Sequence, residues 1–255
     1  MKRHTGQQIL LLTASITPLD GINKLTYTDP GQRLRDYQRA LEHYLALLRP
    51  NERVVFCENT GYDLGSLENI AERMNVRERV EFVSFEGNDF PPHYGRGYGE
   101  FGIIDHAMNH SRFIREAADD TVIWKITGRY IVANLHDVTD TRPRKASLYC
   151  NFRDFPRKGW MDLFLMAWTP ATYRTYLAGV SPKLIENRDG QFISSELLMR
   201  NHLVERGFAG PYRFRRTPRL VGVRGADGTP YHNREGRRKY QVRRLLAVFA
   251  PWVWI

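Results

Sequence analysis

A chain of 255 residues with 42% hydrophobic and 12% aromatic content carries enough apolar side chains for a sizeable core, which excludes disorder over most of its length. Its net charge of +10 points to anionic partners: nucleic acid, an anionic membrane surface or phosphorylated substrates. Cys57 and Cys150, each inside an apolar run, make no metal cluster and fit a reducing, cytoplasmic location.

The basic start precedes an apolar run at residues 9–12 that is too short for a secretory signal, and no stretch approaches the roughly 20 apolar residues of a membrane span. Residues 8–17 therefore read as a buried first strand. Leu34, Tyr37, Leu41, Tyr44, Leu45 and Leu48 follow helical spacing, and Pro50 and Asn51 end that helix. A strand at 53–57, a helix at 64–74 and a strand at 80–85 follow. This alternation is the signature of a parallel sheet with crossover helices.

Next come a glycine-rich turn, GRGYGE, at 95–100, a helix at 102–117 and a strand at 121–130. Beyond residue 135 the pattern weakens. Strands are expected at 145–151, 163–168 and 219–223, helices at 170–178 and 194–206, and a turn at 226–228. Ser194 or Ser195 would cap the later helix, with Glu196 in its first turn. The expected organisation is one domain over 1–236, with a nucleotide-binding half (1–135) and an acceptor half (136–236). A basic, aromatic tail fills 237–255 and contains Trp252 and Trp254.

Residues 95–134 carry the densest chemical signal. A glycine-rich turn lets backbone amides approach an anion, and the strand after it holds Lys125, Thr127, Gly128 and Arg129. Basic residues at the end of such a strand sit where an α/β nucleotide-binding sheet presents its ligand. Arg96, Gly97, Tyr98 and Gly99 are candidates for phosphate or ribose contact, although their spacing matches neither a Walker loop nor a dinucleotide fingerprint. Glu58, in the loop after the second strand, is a further candidate for a base or ribose. Arg33 and Arg35 open the first helix against the dipole preference, so a phosphate-facing role competes with plain exposure. Glu196 is the candidate base. Glu100 and Asp105, about one helical turn apart, are candidates for acceptor binding. His106 and His110 are four residues apart but lack the intervening glutamate of a zinc helix.

The order of elements resembles the GT-A glycosyltransferase fold, and GRGYGE with KITGRY resembles bacterial surface-polysaccharide glycosyltransferases. The likeness spans residues 8–240 in element order, with specific motifs over only about 50 residues. It implies an α/β, GT-A-like, mostly parallel sheet flanked by helices, with a basic C-terminal helical tail. It also implies a nucleotide-sugar donor and a glycan or polyprenyl-linked glycan acceptor at the cytoplasmic face of a membrane, which the tail would contact as an anionic surface. One departure stands out: where that fold ends a strand in Asp-x-Asp, this chain has Lys125-Ile126-Thr127-Gly128-Arg129. Lys125 and Arg129 are thus expected to neutralise the diphosphate and act with Glu196 in catalysis. A displaced Mg2+ or Mn2+ site at Asp137 and Asp140 is the alternative. The competing classes are a nucleic-acid-binding protein and another nucleotide-dependent transferase. The spread of the cations and the absence of a nucleic-acid-binding signature disfavour the first, so no nucleic acid partner is expected.

Overall fold

The computed structural model describes residues 6–153, 159–208, 212–231, 233–250 and 253. In chain order the first half contains β1 (Gln8–Ala14), α1 (Pro30–Ala46), β2 (Glu52–Glu58), α2 (Gly65–Arg73), β3 (Val80–Ser84), α3 (Gly95–His110), α4 (Arg112–Arg115) and β4 (Val122–Thr127). The second half contains β5 (Ile131–Val132), α5 (Leu135–Thr139), β6 (Leu148–Arg153), β7 (Trp160–Trp168), α6 (Pro170–Thr172), β8 (Asn187–Arg188), β9 (Gln191–Phe192), α7 (Ser195–Glu205), β10 (Tyr212–Arg213), β11 (Leu220–Val221) and α8 (Arg234–Phe249).

Seven strands form one sheet in the order β10-β6-β7-β4-β1-β2-β3. β1 pairs in parallel with β2 and β4, β2 pairs in parallel with β3, and β7 runs antiparallel to both β4 and β6. Strands from both halves of the sequence therefore share one sheet. β1 is buried at all seven positions, as a central parallel strand covered on both faces requires. Its side chains alternate: Leu10 and Leu12 meet Tyr37 and Leu41 of α1, while Ile9 and Leu11 belong to the opposite core with Phe101 and Ile104 of α3 and Met199 of α7. Because β1 lies between β2 and β4, the strand order reverses beside it, and a crevice opens beyond the carboxyl ends of these strands.

The segment GRGYGE is the opening of a helix, where the sequence led us to expect a turn. Gly95 sits at φ +87°, and a Cβ there would lie 2.2 Å from Oε2 of Glu186. A Cβ on Gly97 would lie 2.0 Å from Oγ of Ser195, and one on Gly99 2.7 Å from the Phe90 ring. These glycines thus let α3 approach α7 and Phe90. The expected helix to residue 117 is interrupted at Ser111, whose backbone is extended. Glu81 of β3 causes the break by accepting hydrogen bonds from Ser111 Oγ at 2.6 Å and from the amides of Arg112 and Phe113 at 2.7 and 2.9 Å. The helix expected at 170–178 is a short α-turn that widens into a π-turn, Tyr173–Leu177. Trp252 and Trp254 lie outside the described residues.

Candidate active site

A cavity of about 830 Å3 opens at the carboxyl ends of β1, β2 and β4, within the size range of small-molecule sites. Its floor includes Thr13, Ser15, Asn59 and Thr127, and α3, α7, the loop around residues 219–231 and the first turns of α8 enclose it. Arg33, Arg96, Gly97, Gly99, Glu100, Thr127, Arg129 and Glu196 all line this cavity.

Arg33 and Arg129 are buried guanidinium groups at 4% and 6% exposure. Nε of Arg33 donates to the Ser15 carbonyl at 2.9 Å, and its Nη1 donates to the Tyr27 carbonyl at 2.9 Å. Arg129 donates through Nη1 to the Val223 carbonyl at 3.2 Å, and its guanidinium carbon lies 5.7 and 5.2 Å from the ring centroids of Tyr27 and Tyr130. Nε of Arg129 is buried without a hydrogen-bond partner among the described residues. Burial lowers the pKa of Arg33, with Tyr37 opposing that fall and the nearby charge of Arg129 adding to it. Among the described residues neither cation is ion-paired with a carboxylate. Burial lowers the pKa of Arg129 too, but Tyr130 and Tyr37 outweigh it and hold it above its usual value. Burying a charge without a counter-charge is costly, and two such groups line this one cavity.

Lys125 lies elsewhere than expected. Its side chain is 0% exposed and does not line the cavity. Nζ meets Glu100 Oε1 at 2.5 Å and donates to the Leu163 carbonyl at 2.5 Å and to Thr127 Oγ1 at 3.2 Å, which uses all three ammonium hydrogens. The expectation that Lys125 reaches a diphosphate is corrected on this ground. Glu100 Oε1 also accepts from Thr127 Oγ1 at 2.8 Å and from Thr13 Oγ1 at 3.0 Å. Burial would raise the pKa of Glu100, but Lys125 and the two threonines outweigh it and hold the carboxyl below its usual range.

The glycine-rich helix start is already served by an anion of the protein itself. Glu186, 1% exposed, accepts through Oε2 from the Arg96 amide at 3.4 Å and through Oε1 from Ser195 Oγ at 2.5 Å. Its carboxylate thus sits at the amino ends of both α3 and α7, where a phosphate was expected. Close by, Glu196 has a raised pKa: burial is the main cause, Arg96 opposes it, and Glu186 and Asp162 add to it. Asp162 of β7 accepts from Trp160 Nε1 at 3.2 Å and from Asn151 Nδ2.

Other expected site residues fall outside the cavity. Gly128 spends its amide on the Thr13 carbonyl at 2.9 Å and packs against Tyr37. Tyr98 packs on Phe90 and Tyr94. Glu58 ties two loops together by accepting from the amides of Ile16, Thr60 and Tyr62. Asp105 of α3 is half-buried, accepting from Tyr173 Oη at 2.5 Å and from the Gly179 amide at 3.3 Å. Asp140 is paired with Arg49 at 2.5 Å, close to Glu52, which begins β2; this is the end of the sheet opposite the cavity. Asp137 lies on α5, whose C-terminal end Asp140 caps, so the residues of the alternative metal site lie away from the cavity. Sequence reasoning missed Glu186 and Asp162, because single acids in weakly patterned segments carry no local signal.

The residues present also do not fit the divalent cation that the GT-A fold commonly holds. Lys125, Ile126, Thr127, Gly128 and Arg129 stand where the resemblance places its acids, and among the described residues no group of three His, Cys, Asp or Glu side chains is arranged to hold a metal.

No protein-family model matches the chain, and no curated protein matches it. Solved structures do. A galactosyltransferase, LgtC, in complex with donor and acceptor sugar analogs superposes with a TM-score of 0.51 at 11% identity, over 77% of this chain and 70% of that one. The glycosyltransferase GlyE of Streptococcus pneumoniae TIGR4 gives 0.48 at 10% identity, over 82% of this chain but 45% of its own. A putative nucleotide-diphospho-sugar transferase of Desulfovibrio desulfuricans G20 gives 0.46 at 11% identity, over 80% and 78%. The chain thus spans less than half the length of GlyE. With the strand order above, the likeness to LgtC establishes a GT-A-type fold, as the sequence resemblance implied.

Proposed function

We propose that the chain is a nucleotide-sugar-dependent glycosyltransferase in which Arg33 and Arg129 receive the donor diphosphate and Glu196 activates the acceptor hydroxyl. The observation that carries this reading is the pair of buried guanidinium groups without carboxylate partners, lining the crevice of a GT-A-type sheet. During transfer the acceptor oxygen bonds to the anomeric carbon, the bond from that carbon to the phosphate oxygen breaks, and the nucleoside diphosphate leaves with its electron pair. Fixed cations facing the leaving group stabilise the developing charge without reorganisation. Glu196 takes the acceptor proton, and its raised pKa makes it a stronger base than an exposed carboxylate. On this reading the reaction needs no metal.

Melting-temperature shifts test the proposal directly. UDP, GDP, dTDP, CDP and CMP, with their sugars, are screened with and without EDTA, since a ligand of the native state raises the melting temperature by mass action. We expect one nucleotide class to shift the protein equally in both conditions. A shift lost in EDTA would contradict the metal-free reading, and a shift with oligonucleotides alone would replace the proposal by nucleic-acid binding.

We further propose a glycan or polyprenyl-linked glycan acceptor, used in surface-polysaccharide synthesis at the cytoplasmic face of a membrane. The support is α8. Leu245, Val248 and Phe249 are 58%, 62% and 75% exposed, next to Arg237, Arg238 and Arg244. An apolar surface beside cations suits an anionic bilayer. Among the described residues no helix is long and apolar enough to cross a membrane. Co-sedimentation with vesicles containing phosphatidylglycerol should depend on Leu245 and Phe249. Equal sedimentation of a Leu245→Ser, Phe249→Ser variant would contradict this extension.

A further inference from the structure

We propose that Glu100 reads the sugar being transferred, accepting hydrogen bonds from its ring hydroxyls through Oε2, while Lys125 is a positioning residue that fixes this carboxylate and never touches the donor. The inference rests on the proposed function and names the subsite that the fold leaves for the sugar.

Three donors, Lys125 Nζ, Thr13 Oγ1 and Thr127 Oγ1, converge on Oε1 of Glu100, and among the described residues none reaches Oε2. The side chain is 22% exposed and lines the cavity. One oxygen is therefore anchored from β1 and β4, and the other faces the ligand space. An ionised carboxylate only accepts hydrogen bonds, so its natural partners are hydroxyl groups. Such bonds to a charged group are the stronger kind.

Position along the strands selects the transferred sugar over the nucleotide. Thr13 lies two residues before Ser15, whose carbonyl holds Arg33, and Thr127 lies two residues before Arg129. Two residues of extended chain span at most about 7 Å, so the strand positions that anchor Glu100 lie close to those that hold Arg33 and carry Arg129, and all three side chains line the same cavity. Glu196 lines the same cavity, near enough for its charge to act on Lys125, the partner of Glu100. A sugar joined to a diphosphate at Arg33 and Arg129, with its anomeric carbon turned to Glu196, would share this cavity with Glu100.

Calorimetric titration with the nucleoside diphosphate selected by the melting screen, and with its nucleotide sugar, tests the assignment. Glu100→Gln should leave nucleoside diphosphate affinity within about twofold of wild type. It should lower the ratio of nucleotide-sugar to diphosphate affinity about tenfold or more, the loss expected for hydrogen bonds to a charged group. Lys125→Met leaves the carboxylate without its counter-charge, so Glu100 protonates more readily. Nucleotide-sugar binding should then weaken as pH falls and recover as it rises, where the wild type is flat. The double variant Lys125→Met, Glu100→Gln restores a neutral pair: it should regain the melting temperature lost in Lys125→Met but not the sugar preference. An unchanged ratio in Glu100→Gln, or a sugar preference restored in the double variant, would overturn the assignment while leaving the glycosyltransferase reading intact. A wild-type protein that binds no nucleoside diphosphate overturns both.

Discussion

Replacing Arg129 with methionine should weaken nucleoside diphosphate binding about 100-fold and leave the melting temperature of the unliganded protein unchanged or raised. The two halves of this result have one physical origin. Arg129 is buried, donates through Nη1 to the Val223 carbonyl, and keeps Nε without a partner among the described residues; burial lowers its pKa, but Tyr130 and Tyr37 outweigh it and hold the pKa above its usual value. Its charge has tyrosine neighbours but no carboxylate counter-charge among the described residues, so an apolar side chain of similar length removes a desolvation cost while giving up no ion pair. With the diphosphate bound, the same charge faces an anion in a site of low dielectric. Removing one member of such a pair costs about 2–5 kcal/mol, and about 2.7 kcal/mol corresponds to 100-fold. A stability gain at the expense of function is the mark of a site residue. If Arg129 were an ordinary structural cation, the variant would melt lower and bind nucleotide normally. Titration calorimetry and thermal unfolding on one preparation distinguish the two outcomes.

Glu196→Gln carries the largest expected effect on turnover, a fall of about 100- to 10,000-fold, the range for loss of a positioned acid or base. Donor affinity should hardly change, because the proposed diphosphate contacts lie at Arg33 and Arg129. The pH dependence follows from the raised pKa of Glu196, which arises chiefly from burial. As a base, Glu196 acts ionised, so activity should fall as pH drops through this raised value, above the ordinary carboxylate range near about 4.3. Stability runs the other way. A carboxyl with a higher pKa folded than unfolded binds more protons in the native state between the two values, so its contribution to stability falls as pH rises through that window. The glutamine variant should therefore melt slightly higher than wild type at pH 7, with the difference shrinking in acid. Full turnover in Glu196→Gln would remove it from the mechanism.

Much of the fold is legible in the sequence because local pattern and tertiary role agree there. The apolar run of β1, the helical spacing from Leu34 to Leu48 and the apolar run of β4 each specify an element that the structure contains. The start of α3 is not legible, since Gly95, Gly97 and Gly99 look like a turn by propensity. It is Ser195 and Glu186, distant in sequence, together with the nearby Phe90, that require a helix without side chains at those positions. The site divides in the same way. That Arg129 lines the cavity is legible from its place just beyond a strand. Lys125, four residues earlier, looks equivalent in sequence, yet its partner Glu100 comes from another element and turns its charge inward. Glu186 carries no sequence signal at all, because its role comes from two helix ends that meet only in the folded chain.

The most direct test of the central claim is a crystal structure of the protein with the nucleoside diphosphate that the melting screen selects. We expect the diphosphate in the cavity beyond β1 and β4, with oxygen atoms within hydrogen-bonding distance of the guanidinium groups of Arg33 and Arg129. A well-ordered nucleotide bound away from both arginines would contradict it.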